Sequence, residues 1–480
     1  MKNIRNTNRK LIEKTGLFLI LLAFLTSCST NKKPVFQQLD ANWKLKSDTL
    51  FQEITTTVPC SIHTDLFENN FIPDPFSGTV EESLLWIAER KWNYELVFSP
   101  SSEILKQNTI ELIFEGIDTY ANIYLNDSLL FFADNMFRTW KIDVSNALKQ
   151  NENRLRIEFF PIDSIQNERV EALGMKLPEP YAFTRKAAFQ FGWDWSPKYK
   201  TMGLWKPVYL SAWSKARLDS PFIYPEQISE TKAAMIFEVD VETETACTAT
   251  LQLVSETKKL LHHNLTLQKG INHIKLPFEI ENPILWCPKE LGEPHLYQFD
   301  VVLCDESKHI YDTKNITTGI REIQLVCERD SIGESFFFKV NGLPLYAKGA
   351  NYVPEDNFPN RMNANRTRKL LSDVISVNMN MLRVWGGGIY PDDYFFEICD
   401  SLGLLVWQDF MFANTMYPDN IEFFENVKIE AAQQIKRLRN HPSLALWCGN
   451  NEIDEGYHNW GWQLLCNWDS LQNKRAKGHF

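Results

Sequence analysis

Glu452 follows the apolar run Leu444-Ala445-Leu446-Trp447 and stands beside Asn450 and Asn451, whose amides can orient a sugar hydroxyl or the carboxyl itself. A carboxyl held this way, with its pKa raised, can protonate a departing oxygen, which is the acid step of glycoside cleavage. If configuration is retained, a second carboxylate must sit about 5–5.5 Å away. A strand-terminal Glu also serves as a helix cap or an ion-pair partner, but the neighbouring Trp447, Trp460 and Trp462 favour chemistry on a sugar. Aromatic residues make up 13 % of the chain and include 15 Trp, several beside Asp, Asn, Gly or Pro rather than inside apolar runs. Buried Trp is the plain explanation, and stacking against sugar faces is the sharper one.

Other chemistries lack residues to carry them. There is no CxxC, HExxH, GxSxG, P-loop or EF-hand pattern, so no metal and no cofactor is expected. The net charge is −11, from 61 acidic against 50 basic residues, and no Lys/Arg run precedes the last few residues, which argues against a nucleic-acid partner. At 44 % hydrophobic and 23 % charged, the composition excludes a disordered chain and a polytopic membrane protein. Beyond Cys28, the eight cysteines mostly lie among apolar neighbours and read as core fillers.

The elements that must position Glu452 change character along the chain. From residue 35 to 213, short alternating stretches such as Thr109 to Phe114 and Ala121 to Leu125, broken by turns like Asn126-Asp127, predict an antiparallel β-sandwich. A second, immunoglobulin-like sandwich is expected over 214–325, with strands at Ala233 to Val241, Cys247 to Val254 and Leu296 to Cys304. Over 326–480, after the turn Asn341-Gly342, strands alternate with helices. The strands are Tyr346 to Ala350, Met381 to Trp385, Leu404 to Trp407 and Leu444 to Cys448, with helices near Arg366 to Val377, Asp392 to Leu402 and Glu422 to Arg439. Four β/α units imply the first half of a (β/α)₈ TIM barrel, whose strand carboxyl ends form the active face.

Three motifs at those strand ends resemble the β-mannosidases of glycoside hydrolase family 2. They are Arg383-Val384-Trp385-Gly386-Gly387-Gly388, Val406-Trp407-Gln408-Asp409-Phe410-Met411-Phe412-Ala413-Asn414 and Trp447-Cys448-Gly449-Asn450-Asn451-Glu452. Upstream, Phe191-Gly192-Trp193-Asp194-Trp195-Ser196-Pro197 and Gly203-Leu204-Trp205-Lys206-Pro207-Val208 are similar to that family's jelly-roll-like sugar-binding domain, where a sandwich loop reaches the catalytic pocket. The resemblance implies a retaining exo-hydrolase of terminal β-D-mannose with Glu452 as acid/base, acting on mannose-containing oligosaccharides or glycans. It further implies Asn451 at the sugar 2-hydroxyl, Trp385 as a wall of the −1 subsite, Asp194 gripping sugar hydroxyls, Arg383 supporting the carboxylates, and Trp193 and Trp460 as further aromatic contacts. Another family 2 exo-glycosidase, β-galactosidase- or β-glucuronidase-like, and a carbohydrate-binding lipoprotein without turnover are the alternatives.

The two ends of the chain carry their own expectations. Lys2, Arg5, Arg9, Lys10 and Lys14 precede the apolar run Gly16 to Leu25 and then Leu25-Thr26-Ser27-Cys28, which predicts a lipoprotein signal over residues 1–28 with Cys28 acylated. That places the protein in a bacterial cell envelope, lipid-anchored, on the periplasmic side with surface exposure left open. At the other end the sequence stops at Phe480 after four β/α units, whereas the resemblance puts the nucleophile at the end of the seventh strand. Asp454, Glu455 and Asp469 are not placed to replace it, so these 480 residues are expected to be inactive by themselves and to need a complementary C-terminal half. The two sandwiches are expected to persist as a soluble unit ending near Ile320.

Overall fold

A computed structural model of the chain describes residues 33–48, 52–173, 177–255 and 258–465. The lipoprotein signal with Cys28, as well as Asp469, lies outside the described residues.

Alternation of apolar and polar side chains builds the first domain. Along Trp92–Phe98 residues 92, 94, 96 and 98 are buried and those between are not, so one face meets a core and the other faces out. Six antiparallel strands, in the order Ile54–Thr56, Trp43–Lys46, Trp92–Phe98, Asn153–Phe159, Ala121–Leu125 and Ser128–Ala133, form one sheet. Val35–Gln38, Val208–Trp213, Thr109–Phe114 and Trp140–Asp143 form the other. Both contribute to one core, through Trp43, Tyr94 and Phe159 from the first sheet and Leu112, Phe114 and Leu210 from the second. Asn126 and Asp127, with φ of 51° and 67°, make the tight left-handed hairpin turn that these residue types favour. Helix α1 (Ile162–Leu173) leads from this sandwich into a long loop through residues 177–207.

The second domain packs three antiparallel strands, Ala216–Ile228, Lys232–Thr243 and Gly270–Glu281, over four, Lys258–Leu267, Cys247–Ser255, Tyr297–Cys304 and Ile310–Thr318. Its core is separate, around Phe237, Leu251, Phe299 and Leu303.

Beyond it lie four parallel strands in sequential order, β1 (Gly349–Tyr352), β2 (Met381–Val384), β3 (Leu405–Asp409) and β4 (Leu444–Cys448). Between them come α2 (Ala364–Ser376), α3 (Asp393–Leu402) and α4 (Ile421–Leu438). Asn363 and Asn420 cap α2 and α4 by accepting from the amides of Arg366 and Phe423, and Gly403 ends α3 in the left-handed conformation. The first strand lies a few residues later than Tyr346 to Ala350. Leu343–Leu345 is taken up by a hairpin with Phe337–Val340, turned by Asn341-Gly342. The parallel register then starts at Gly349 opposite Met381, where a Cβ would collide with the Met381 carbonyl.

The first sandwich and the half barrel share a core. Phe137, Phe189 and Trp205 pack with Leu371, Phe395 and Val406, so the expected sandwich unit ending near Ile320 would expose those three aromatics. A buried ion pair pins the joint: Arg185 and Glu430 are each 1 % exposed. Arg185 Nε and Nη2 donate to Glu430 Oε2 and Oε1 at 2.9 and 2.5 Å. Tyr390 Oη and Asn135 Nδ2 donate to the same carboxylate at 3.0 and 2.9 Å. The second domain grips the start of β4, where Arg321 donates to the carbonyls of Pro442 and Leu444 at 2.7 and 2.5 Å.

One buried base at the sandwich–barrel joint sets a pH dependence. His63 is buried between the rings of Tyr199 and Phe358, at centroid distances of 5.5 and 5.7 Å, and burial pushes its imidazole down to about 3. Below pH 6.5 the unfolded chain therefore binds a proton that the folded chain refuses, and stability falls as pH drops from 6.5 toward 3 by about 1.4 kcal/mol per unit. Thermal unfolding of His63→Phe across pH 4–7 should show a shallower slope than wild type. Equal slopes would contradict this.

Candidate active site

The carboxyl ends of the four parallel strands bring together Asn351, Arg383, Asp409, Asn451 and Glu452. Asp409, on β3, is fully buried and accepts from Arg383 Nη2 and Nε at 2.6 and 3.2 Å, the Gly386 amide at 3.0 Å and Trp407 Nε1 at 2.9 Å. Burial pushes its carboxyl up, against the pull of Arg383 and these donors. With four donors satisfied, Asp409 is a strut that fixes Arg383, not a free nucleophile. Arg383 then reaches outward, donating to Asn351 Oδ1 at 3.2 Å and Asn451 Oδ1 at 2.8 Å. It supports Glu452 through Asn451.

Asn451 spends its amide on two acceptors, Glu452 Oε2 at 3.1 Å and Asn414 Oδ1 at 2.8 Å. Asn414 Nδ2 closes the ring by donating to the same Glu452 Oε2 at 2.6 Å. Both amides therefore bind one carboxyl oxygen and leave Oε1 open to carry a proton. The loops bearing these residues are tied together: the Asn451 amide donates to the Phe412 carbonyl at 2.9 Å and the Asn414 amide to the Asn451 carbonyl at 3.1 Å. Glu452 occupies the cap position of α5 (Ile453–Asn459), yet its side chain does not cap that helix. Its φ of 58° is a conformation costing a non-glycine residue about 1–3 kcal/mol, and such residues cluster at functional sites.

The sandwich loop supplies the aromatic side of the site. Trp385, 7 % exposed, meets Trp193 and Trp195 edge-on at centroid distances of 4.9 and 6.0 Å. The amide and carbonyl of Trp193 bond those of Ser196 at 2.9 and 3.2 Å, making a tight loop. Asp194, between the two Trp residues, is exposed, and no hydrogen bond or ion pair ties its carboxylate to the other described residues, which leaves it open to a ligand. Trp460 is half-exposed at the end of α5, its ring 5.5 Å from Trp462.

A cleft of about 460 Å³ opens where Trp193 and Asn414 meet α1 and the loop at Glu179. No group of acidic, His and Cys side chains among the described residues could hold a metal ion, and no described helix is long and apolar enough to cross a membrane. Sequence reasoning passed over Asp409 and Asn414 as site residues. Both lie inside the Val406 to Asn414 motif, each a polar residue two positions after an aromatic one, Trp407 and Phe412.

The chain is similar to known proteins over both sandwiches and the parallel strands. Residues 43–206 match a family model described as glycosyl hydrolase 2 galactose-binding domain-like, and residues 216–321 match glycosyl hydrolases family 2. The chain is 34 % identical over 460 residues to a β-mannosidase of Bos taurus, covering 91 % of this chain and 52 % of that protein. The crystal structure of a β-D-mannosidase from Dictyoglomus thermophilum superposes with a TM-score of 0.85 at 41 % identity, covering 89 % of this chain and 53 % of that one. A β-glucuronidase of Bacteroides uniformis, at 17 % identity and a TM-score of 0.66 over 88 % of this chain and 47 % of that one, shares the fold. The chain thus spans about half the length of the curated relatives it matches. With its two sandwiches matched to family 2 models and its half barrel aligned with β-mannosidases, the chain belongs to glycoside hydrolase family 2.

Proposed function

We propose that these residues form the acid/base half of a retaining exo-hydrolase of terminal β-D-mannose. The observation that carries the reading is Glu452, held at a strand end with Oε2 bound by Asn414 and Asn451 and Oε1 free. Oε1 protonates the glycosidic oxygen as the bond breaks, and the resulting carboxylate then takes a proton from the water that releases the sugar. A retaining mechanism also needs a nucleophilic carboxylate. Asp409 is consumed by its four donors, and Asp454 and Glu455 lie on the first turn of α5, so the 480-residue polypeptide is expected not to turn over without further sequence. Asn451 has spent both amide hydrogens, so a sugar 2-hydroxyl reaches it by donating to Oδ1.

The test is the chain joined to the segment that follows the matched region in the Dictyoglomus thermophilum protein, assayed with matched aryl glycosides. The β-mannoside should be cleaved faster than the β-galactoside, β-glucuronide and β-glucosaminide. Equal or reversed ranking would contradict the reading. In the same protein Asp194→Ala should lower kcat/KM by roughly 10- to 100-fold, the worth of a charge-assisted hydrogen bond at about 1.5–3 kcal/mol, with thermal stability unchanged; unaltered kinetics would remove Asp194 from the site. The basic segment before Cys28 supports an envelope lipoprotein, for which mass spectrometry should find a lipid-modified Cys28 at the mature terminus. An unmodified Cys28 would exclude the anchor.

A further inference from the structure

We infer that Asn357 is a positioning residue that fixes the sandwich turn bearing Asp194 against the barrel. The inference rests on the reading of Asp194 as a sugar contact and adds what holds that contact in place. Such a contact must keep its geometry to within about 0.5 Å, yet the Asp194 carboxylate has no tie of its own among the described residues. Its placement therefore falls to the turn. Trp193 and Ser196 close that turn by exchanging backbone hydrogen bonds at 2.9 and 3.2 Å. Ser196, 6 % exposed, is itself held from the barrel: Asn357 Nδ2 donates to its Oγ at 2.6 Å across 161 residues of sequence. On the other side of Asp194, Gln190 Nε2 donates to the Asn357 carbonyl at 3.3 Å. One residue thus holds the loop at two points that bracket Asp194. The Phe189 amide also donates to the Gly387 carbonyl, but lies further from Asp194 in sequence.

Asn357 can serve as an anchor because its neighbours are anchored. Before it, the Glu355 carboxylate accepts from Tyr352 Oη on β1 at 2.9 Å and from Thr367 Oγ1 on α2 at 2.6 Å. After it, Phe358 is 1 % exposed, its ring 5.7 and 5.5 Å from those of His63 and Tyr199, and Asn360 Nδ2 donates to Thr64 Oγ1 at 3.1 Å. Deleting the Asn357 amide therefore leaves its own segment in place and loosens the turn. The joint itself is held elsewhere, by the shared core and the Arg185–Glu430 pair. A turn that is only fractionally in the binding geometry lowers apparent affinity by that fraction.

Fluorine NMR of the 480-residue chain labelled with fluorotryptophan tests the placement, with Trp193 and Trp195 assigned through Trp193→Phe and Trp195→Phe. In Asn357→Ala both resonances should broaden or split, while those of Trp residues outside their cluster with Trp385 stay unchanged. Ser196→Ala removes the same bond from the other side, should show the same pattern, and decides the matter if Asn357→Ala fails to fold. Titration with methyl β-D-mannoside tests the consequence. Asn357→Ala should weaken binding roughly 5- to 10-fold, the worth of one hydrogen bond, and should add nothing in an Asp194→Ala background. Unchanged Trp193 and Trp195 resonances, or equal weakening with and without Asp194, would overturn the proposal. Asp194→Ala binding as tightly as wild type, or no binding by either, would instead overturn the reading of Asp194 as a sugar contact, and the role of Asn357 with it.

Discussion

Glu452→Gln, made in the chain joined to its Dictyoglomus-derived remainder, should cut turnover of β-linked mannobiose by about 10²–10⁴-fold, the usual share of general acid catalysis. The replacement keeps shape and an acceptor: the Gln carbonyl can take the two amide donors that Asn414 and Asn451 aim at Oε2. What it loses is the proton on the free side. Aryl mannosides with good leaving groups need no such proton, so their first, bond-breaking step should be spared while the second slows for want of a base. Disaccharide turnover at the wild-type rate would mean that another group is the acid.

Glu430→Ala is expected to be the most destabilising single change at the sandwich–barrel joint. It strands Arg185, 1 % exposed, without its counter-charge and removes the acceptor for Tyr390 and Asn135. Breaking one side of a buried pair costs about 3–5 kcal/mol. Replacing both partners by apolar residues, Arg185→Met with Glu430→Leu, should recover most of that loss, because neither charge is then left buried. Denaturant titrations of the single and double variants decide it. A loss under about 1 kcal/mol for Glu430→Ala, or no recovery in the double variant, would show that the pair does not hold the joint.

What the sequence showed was local. Asn126-Asp127 and Asn341-Gly342 are readable because a left-handed turn needs residues that tolerate positive φ, and both sit at hairpin tips. The parallel strands are readable as short apolar runs between helical stretches. The illegible part is contact between distant segments. Nothing near Arg185 announces Glu430, 245 residues later, and nothing in the first sandwich says that Phe137, Phe189 and Trp205 leave its core to join the barrel's. The same limit hid Asn414, which reaches Glu452 across 38 residues through a loop–loop pairing. The start of β1 was displaced because register in a parallel sheet is set by the neighbouring strand, here Gly349 against Met381, and not by local propensity.

The central claim, that Glu452 is the acid/base of a retaining β-mannoside hydrolase, is tested most directly by chemical rescue. In Glu452→Ala of the joined chain, an activated aryl β-mannoside can still form the glycosyl-enzyme, but water lacks its base. Azide, already anionic and small enough for the space left by the carboxyl, should attack from the face the leaving group vacated and accelerate turnover. The account predicts β-mannosyl azide as the product. Formation of the α-azide would make Glu452 the nucleophile instead, and turnover unaffected by azide would remove it from acid/base catalysis.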